Sequence, residues 1–565
     1  MKKIVIVGGV AGGASAAARL RRLDRDAQIV VFERSGFVSY ANCGLPYYVG
    51  GVIKEKSALT LQTPESFWKR FKVDMRVKHN VLKIDAEKKT VTVENLLNGK
   101  VYDESYDSLI LSPGAKPSVP NLPGVDSDKI YLLRTVEDSL RLREKVIEEG
   151  VKSAVVAGGG FIGIETAENL RDLGLEVTMV QRPKQLLKPI DPDMASFVHN
   201  EMRDKGVKLR LGSAVAGFEE RNGKIVTLIK DEQELVSDLV ILAIGVSPET
   251  SLAKDAGLEL GVKGSIVVDE HMRTSKSDIY AVGDAVQVKH FVSGLDTNIP
   301  LAGPANKQGR IAADNICGIE SSYKGSQGSS IVKVFDLTAA ATGLNSAQAK
   351  EAGYDFESVI IAPASHAGYY PGGKQMSLKM LYDRVSGKIL GAQIVGYEGV
   401  DKRIDVLATA IRAGMKATDL TELELAYAPP YSSAKDPVNF AGYVAENIEQ
   451  GLLKQVQWTE LPELPKDGSA IYLDCRNPAE LENGSIEGFI NIPLDSLRDR
   501  LGELDKSKPV YVTCQVGLRG YLACRILMQN GYDCYNFPGG YRYYASLMKD
   551  EKMAESLWPC GLPRN

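Results

Sequence analysis

Residues 39–51 read SYANCGLPYYVGG, and no second cysteine follows Cys43 before Cys317. A redox thiol that works alone cannot store two electrons as an internal disulfide. It completes a cycle only by bonding to something from outside, a substrate thiol as a mixed disulfide or oxygen as a sulfenic acid. Because a free thiol is only a few per cent ionised at neutral pH, a working Cys43 is expected below its ordinary pKa, with the helix start at Gly44 as one cause. A second reactive sulfur is predicted at Cys514. It opens the loop CQVGLR (514–519) after the strand-like VYVT and ahead of a helical run. Successive backbone N–H groups in such a loop form a nest for a thiolate or persulfide anion, with Arg519 closing it.

Two glycine-rich loops have the spacing that cradles phosphates. The first is Gly8-Gly9-Val10-Ala11-Gly12-Gly13, where Gly8 and Gly13 hold the outer required positions and Val10 replaces the middle glycine. Gly8 allows the tight turn, and Gly13 lets helix and strand approach, so the helix N-terminus faces a pyrophosphate. Glu33, twenty residues beyond Gly13, ends the next strand and can accept from ribose hydroxyls. The second loop, Gly158-Gly159-Gly160-Phe161-Ile162-Gly163, is a full match through Gly158, Gly160 and Gly163. Gln181 stands at its acidic position, followed by Arg182. A neutral amide beside an arginine tolerates a 2′-phosphate, so NADH and NADPH both remain open.

These loops require strand–turn–helix–strand units, and KKIVIVGG, AGGASAAARLRRL and QIVVFER supply one. SAVVAGGGFIG, IETAENLRDLG and LEVTMVQR repeat the plan, which means two dinucleotide sites, one nested in the other's domain. From about 325 the pattern turns to strands such as SLKMLYD and KILGAQIVG with the helical DVLATAIRAG. QVQWTELPELPKDG, with two prolines and no apolar period, reads as a linker, and AIYLDCR begins a compact C-terminal unit. Domains are thus expected at 1–150 with 250–324, at 151–249, at 325–450, and at 466–565 after a linker over 451–465. The 565 residues are 44% apolar and 25% charged with net charge −4, and no long basic run favours nucleic acid. Seven cysteines make no disulfide framework, and no apolar run nears the roughly 20 residues of a membrane span. The N-terminus enters a strand directly, with no signal peptide, so a cytoplasmic protein is expected.

TSKSDIYAVGDA (274–285) ends a strand on Gly283-Asp284, where the carboxylate can bond a ribityl chain. With LSPGAKP and LAIGVSP, this resembles the two-dinucleotide-binding flavoprotein disulfide reductases over residues 1 to about 447. The resemblance implies FAD in the first site, a nicotinamide (NADH or NADPH) in the second, and a homodimer. SYANCGLPYY resembles the single-cysteine branch, which includes coenzyme A-disulfide reductases and NADH oxidases and peroxidases. Oxidase and peroxidase members carry a His in the first glycine loop, absent from Val10-Ala11-Gly12. Ser15, Arg19 and Arg22 share one face of the first helix, and the coenzyme A-disulfide reductases use the matching positions for coenzyme A phosphates. Ser39, Asn42, Asn306 and Lys435 match as well. Two tyrosines donated across the dimer interface would support the leaving thiolate. Motif position in HAGYYPGG and LAYAPPYSSAKDP selects Tyr369 and Tyr427, with Tyr370 and Tyr431 as competitors.

Residues 466–555 resemble a rhodanese domain, through YLDCRNPAELENGSIEGFINIPL, the Cys514 loop and FPGGY. Four residues separate Cys514 from Arg519, where related phosphatase loops have five, so the loop suits sulfur. Asp474, Arg476 and Glu480 are expected as anchors of that loop. Cys317, Cys475, Cys524, Cys534 and Cys560 are expected to be structural or incidental. The fold class is therefore α/β: two nested Rossmann-like domains, an α+β dimerisation domain and a C-terminal α/β rhodanese domain. The expected activity is NAD(P)H- and FAD-dependent reduction of coenzyme A-disulfide, coenzyme A persulfide or polysulfide. Small-molecule thiols and persulfides would be its partners, with no nucleic acid, membrane or metal. Two alternatives remain: an oxidase or peroxidase cycling through a Cys43 sulfenate, and a flavin redox sensor with a docking rhodanese domain.

Overall fold

Strands reading IVIV, VVFE and SLIL are apolar without alternation, the pattern of a parallel sheet covered on both faces. In the computed structural model, which describes residues 2–230 and 233–555, they lie together in a five-stranded sheet. Its order is Ile279–Ala281, Ser108–Leu111, Lys3–Val7, Gln28–Glu33 and Asp74–Val77, every pair parallel. Helices Ala11–Leu23 and Ala302–Ile316 bury Ala16, Ala17, Leu20 and Ala312 against one face. The meander His79–Asp85, Thr90–Asn95 and Lys100–Ser105 covers the other through Val81, Val91 and Val93. A second parallel sheet runs in the order Ile130–Tyr131, Leu239–Leu242, Ser153–Ala157, Glu176–Gln181 and Lys208–Leu211. These sheets form one compact unit, residues 2–184 with 206–328.

Residues 185–205 with 329–555 form the other unit. Its antiparallel sheet runs in the order Ser330–Val334, Leu337–Gly343, Ile389–Gly396, Met376–Asp383 and Phe356–Ile361. Helices Val400–Ala413 and Pro437–Glu449 accompany it. The C-terminal sheet is parallel, with the order Ile490–Asn491, Ile471–Asp474, Val510–Thr513 and Cys534–Asn536. Helix Pro192–Asp204 packs in this unit against helix Gly540–Glu555: His199 Nδ1 is 2.7 Å from Asp550, and Ser196 Oγ is 2.8 Å from Ser546 Oγ.

The proline-rich stretch expected to be a linker is packed. Asn536 N donates to Lys454 O (2.9 Å) and Val456 N to Asn536 O (3.1 Å), which extends the edge of the C-terminal sheet. Trp458 is buried, stacks on Phe537 at 4.2 Å, and donates from Nε1 to Pro538 O (2.9 Å). Val456 and Trp458 are the apolar anchors that the prolines masked. Among the described residues, no helix is long and apolar enough to cross a membrane.

Candidate functional site

The two glycine loops share one geometry. Gly8 and Gly158 adopt φ of +99° and +118°, and a Cβ on either would stand 2.0 to 2.1 Å from a carbonyl of the neighbouring strand's end. A Cβ on Gly13 or Gly163 would lie 1.9 or 2.0 Å from the carbonyl of Gly8 or Gly158. Only glycine permits this approach of helix to strand. Gly160, by contrast, faces open space, room that a ligand's phosphates can occupy. Neither helix Ala11–Leu23 nor Phe161–Asp172 has a side-chain cap or an acid in its first turn, so both present free N–H groups to an anion. Glu33 accepts from Gly9 N (2.9 Å), and Gln181 occupies the same place, accepting from Gly159 N (3.0 Å). A cavity lined by Gly8, Phe32, Glu33, His79 and Pro113 continues the first loop. The donors, the glycine cradle and the cavity fit a dinucleotide. Asp284 follows strand Ile279–Ala281 and accepts from Arg134 Nη2 (3.0 Å).

Cys43 lies in the turn Asn42–Gly44, between strand Val38–Tyr40 and the short helix Leu45–Val49, and its side chain is exposed. Asn42 donates to Arg134 O (2.9 Å) and accepts from Arg134 Nη1 (3.1 Å), so Arg134 ties the cysteine turn to Asp284. Sequence reasoning missed Arg134, which has no motif. It also missed Glu165, two residues past Gly163 of the second loop. Burial raises the Glu165 carboxyl to about 7, while Tyr47 Oη donates to it at 3.2 Å. The expected lowering of Cys43 is not met by the protein's own groups. The wall behind the thiol raises its pKa most, and the nearby Glu165 charge raises it further, outweighing Arg134. The five-residue helix after it is too short to reverse that.

Ser15, Arg19 and Arg22, on one face of helix Ala11–Leu23, line a cleft together with Ser39 and Asn306. Ser15 Oγ donates to Asn306 Oδ1 at 2.5 Å, and Arg19 is drawn to Asp314 at 2.6 Å. Arg70 and Arg310 complete the rim, and Phe67 and Phe71 form an apolar wall. Arg22, Arg70 and Arg310 are all exposed. Arg310 sits four residues beyond Asn306 on helix Ala302–Ile316, a spacing that could have flagged it. Asn42 does not line the cleft, being held by Arg134, and Lys435 belongs to the other unit.

Tyr369 and Tyr427 are brought together, Oη to Oη at 2.6 Å, with 75% and 46% of each residue exposed. Their mutual hydrogen bond raises the Tyr369 pKa. Buried Arg403 pins both tyrosine loops: Nη2 donates to Ser365 O (2.9 Å), Ser432 Oγ (3.1 Å) and Asp436 Oδ2 (3.0 Å). Tyr370 instead packs edge-on against His366, with ring centroids 5.5 Å apart, and Tyr431 is exposed.

Cys514 is fully buried at the end of strand Val510–Thr513, and its Sγ accepts from Gly517 N at 3.1 Å. A hydrogen bond from Cys475 foremost, with the amides of Val516, Gly517 and Gly520, lowers it to about 6. Gly517 reaches φ +96°, which aims the loop's N–H groups inward. Arg519 forms a bidentate pair with Glu480, both bonds 2.6 Å. Asp474 and Arg476 form a buried ion pair at 2.7 Å, and Arg476 Nη2 also donates to Gly484 O at 3.0 Å. The expectation that Cys475 is incidental needs revision, since its thiol adjoins Cys514; Cys560 lies outside the described residues.

Two dinucleotide cradles, an isolated thiol between them in the chain, and a nested sulfur site define a nucleotide-dependent thiol–disulfide oxidoreductase. Residues 2–309 match the family described as pyridine nucleotide-disulphide oxidoreductase, residues 329–437 its dimerisation domain, and residues 457–547 the rhodanese-like domain. The chain belongs to the pyridine nucleotide-disulphide oxidoreductases, flavoproteins that use FAD and NAD(P)H, and carries a rhodanese-like domain. It is 37% identical to coenzyme A disulfide reductase of Staphylococcus epidermidis over 447 residues, covering 79% of this chain and 100% of the relative. The crystal structure of reduced Bacillus anthracis CoADR-RHD is 50% identical, with a TM-score of 0.95 over 97% of this chain and 98% of that one. A NAD-dependent persulfide reductase from A. fulgidus is 38% identical, with a TM-score of 0.91 over 96% and 100% of the two chains.

Proposed function

We propose that the protein reduces disulfide, persulfide or polysulfide forms of coenzyme A-type thiols through Cys43. The observation that carries this reading is the cleft where Ser15, Arg22, Arg70, Asn306 and Arg310 converge with Ser39, which opens the Cys43 loop. Three exposed arginines above an apolar wall suit the phosphates and adenine of coenzyme A. The similarity to coenzyme A disulfide and persulfide reductases supports the same reading.

Bound FAD supplies the electron pair taken from NAD(P)H; Gly8, Gly13, Glu33 and Asp284 would hold it, and Gly158, Gly160, Gly163 and Gln181 the nicotinamide nucleotide. Cys43 forms a mixed disulfide with the carrier thiol, because among the described residues it has no disulfide partner. Glu165, raised to about 7 by burial, is placed to hold a proton through Tyr47 beside Cys43. In a homodimer, Tyr369 and Tyr427 of the second subunit donate to the departing thiolate, and Lys435 adds a cation for the carrier. The alternate aim of Asn42, onto Arg134, makes it a support for the Cys43 turn.

Cys514 carries sulfane sulfur, stabilised as an anion by the loop amides, and hands it to the thiol carrier. Fusion raises the effective concentration of one thiol site for the other. Cys43→Ser tests the reductase half: it should keep FAD and its reduction by NAD(P)H while losing disulfide turnover. Near-normal turnover in that variant rejects the proposal. Oxygen consumption rivalling disulfide reduction would favour a sulfenate cycle instead.

A further inference from the structure

Cys475 and Cys514 occupy equivalent places at the ends of neighbouring parallel strands. Ile471–Asp474 and Val510–Thr513 pair with Asp474 opposite Thr513, so the next residue of each strand is a cysteine. Adjacent strands lie about 4.8 Å apart, and paired residues point to the same face. A disulfide spans Cα separations of about 4.4 to 6.8 Å, a range that includes the ordinary spacing of neighbouring strands. Cys475 N donates to Thr513 O (2.9 Å), and its Sγ lies 3.0 Å from the same carbonyl, against the neighbouring strand. Both side chains are fully buried in one apolar cluster. Their hydrogen bond raises Cys475 and lowers Cys514, as expected of a thiol beside a thiolate. Arg519 pairs with Glu480, and the Gly517 amide donates to the Cys514 sulfur.

We propose that Cys475 is a resolving thiol. Its sulfur attacks the inner sulfur of a Cys514 persulfide, the new Cys475–Cys514 bond forms, and the old S–S bond breaks. The outer sulfur leaves with that electron pair as hydrosulfide and takes the proton of Cys475. The cysteine pair is thereby oxidised to a disulfide and the sulfane sulfur reduced to sulfide. Two equivalents of a soluble thiol reset the pair: the first forms a mixed disulfide, and the second releases a small-molecule disulfide, the substrate class proposed for Cys43. This inference rests on the reading that Cys514 carries sulfane sulfur.

The test loads full-length reduced protein, free of small thiols and NAD(P)H, with one equivalent of inorganic tetrasulfide. The chain is then alkylated and mapped by mass spectrometry without reductant. The wild type should yield peptides joined through Cys475 and Cys514, while Cys475→Ser should lose that link and retain the added sulfur on Cys514. A Cys514 persulfide that persists in the wild type as long as in Cys475→Ser overturns the resolving role and leaves the persulfide reading intact. A folded Cys475→Ser that takes up no sulfur at Cys514 overturns both. Should that variant fail to fold, the wild-type map decides alone, and absence of the Cys475–Cys514 link after loading overturns the proposal.

Discussion

The hydroxyl of Tyr369 lies 2.6 Å from that of Tyr427, on loops that buried Arg403 ties together. In such a pair one hydroxyl donates to the other, and the accepting hydroxyl keeps its own proton for a third group. Replacing either tyrosine by Phe should lower kcat for coenzyme A disulfide by about a hundredfold, with FAD reduction by NAD(P)H unchanged. Because the two act as a unit, the double variant should be no slower than the worse single one. Steady-state and single-turnover kinetics check both statements, and additive losses would assign the hydroxyls separate roles.

The arginine cleft predicts a different kinetic signature. On the proposed reading, Arg22→Gln, Arg70→Gln and Arg310→Gln would each remove a charge-assisted contact to the carrier made equally in ground and transition states. Each should raise KM for coenzyme A disulfide by about tenfold, with kcat held. Arg19→Gln should cost less binding, because Arg19 is already engaged by Asp314. A fall in kcat with KM unchanged would place the carrier elsewhere.

Much of this site was legible because helical and strand periodicities carry it. Gly8, Gly13, Gly158 and Gly163 are fixed by backbone approach, so spacing found them, whereas Ser15, Arg19 and Arg22 share a helix face by spacing and gained a role only through the family resemblance. Arg134, Glu165 and Arg70 reach the site by tertiary folding from segments with no motif of their own. Cys475 was missed because its partner stands 39 residues away and only strand register brings them together. The proline-rich segment 451–465 misled for a similar reason: Trp458 finds its pocket on Phe537 and Pro538, far along the chain.

Glu165 has a folded pKa of about 7 against an ordinary 4.5. Between those values the folded protein binds a proton that the unfolded chain has lost. Stability therefore falls as pH rises from about 4.5 to 7 and is level above, by an amount on the order of a few kcal/mol. Glu165→Gln should flatten that slope. It should also speed alkylation of Cys43 at pH 8, because a negative neighbour that raises the thiol is gone. Chemical denaturation across pH and timed labelling measure the two effects; unchanged labelling would remove Glu165 from the site.

Cys514 is lowered to about 6, so sulfur uptake by the rhodanese-like domain should rise with pH through 6 and plateau above. The active form is the thiolate, which fixes that sign. Cys475→Val removes the foremost hydrogen-bond donor and should move the midpoint upward, whereas Cys475→Ser should restore most of it. Rates of persulfide formation from pH 5 to 9 provide the test. An unshifted midpoint in Cys475→Val would leave the loop amides as the whole cause.

Breaking the buried Asp474–Arg476 pair by Arg476→Ala should cost about 3–5 kcal/mol, because an uncompensated carboxylate is left inside. Calorimetry of full-length protein should show a lowered transition, with FAD content and coenzyme A disulfide turnover retained. Loss of no more than about 1 kcal/mol would mean that water reaches Asp474.

What is bonded to Cys43 during turnover bears most directly on how this protein works. Protein reduced, freed of small thiols, treated with coenzyme A disulfide and alkylated should give a Cys43 peptide carrying one coenzyme A, and NAD(P)H should release it. A Cys43 found as a sulfenic or sulfinic acid, or unmodified while disulfide turnover proceeds at full rate, would contradict the mixed-disulfide cycle.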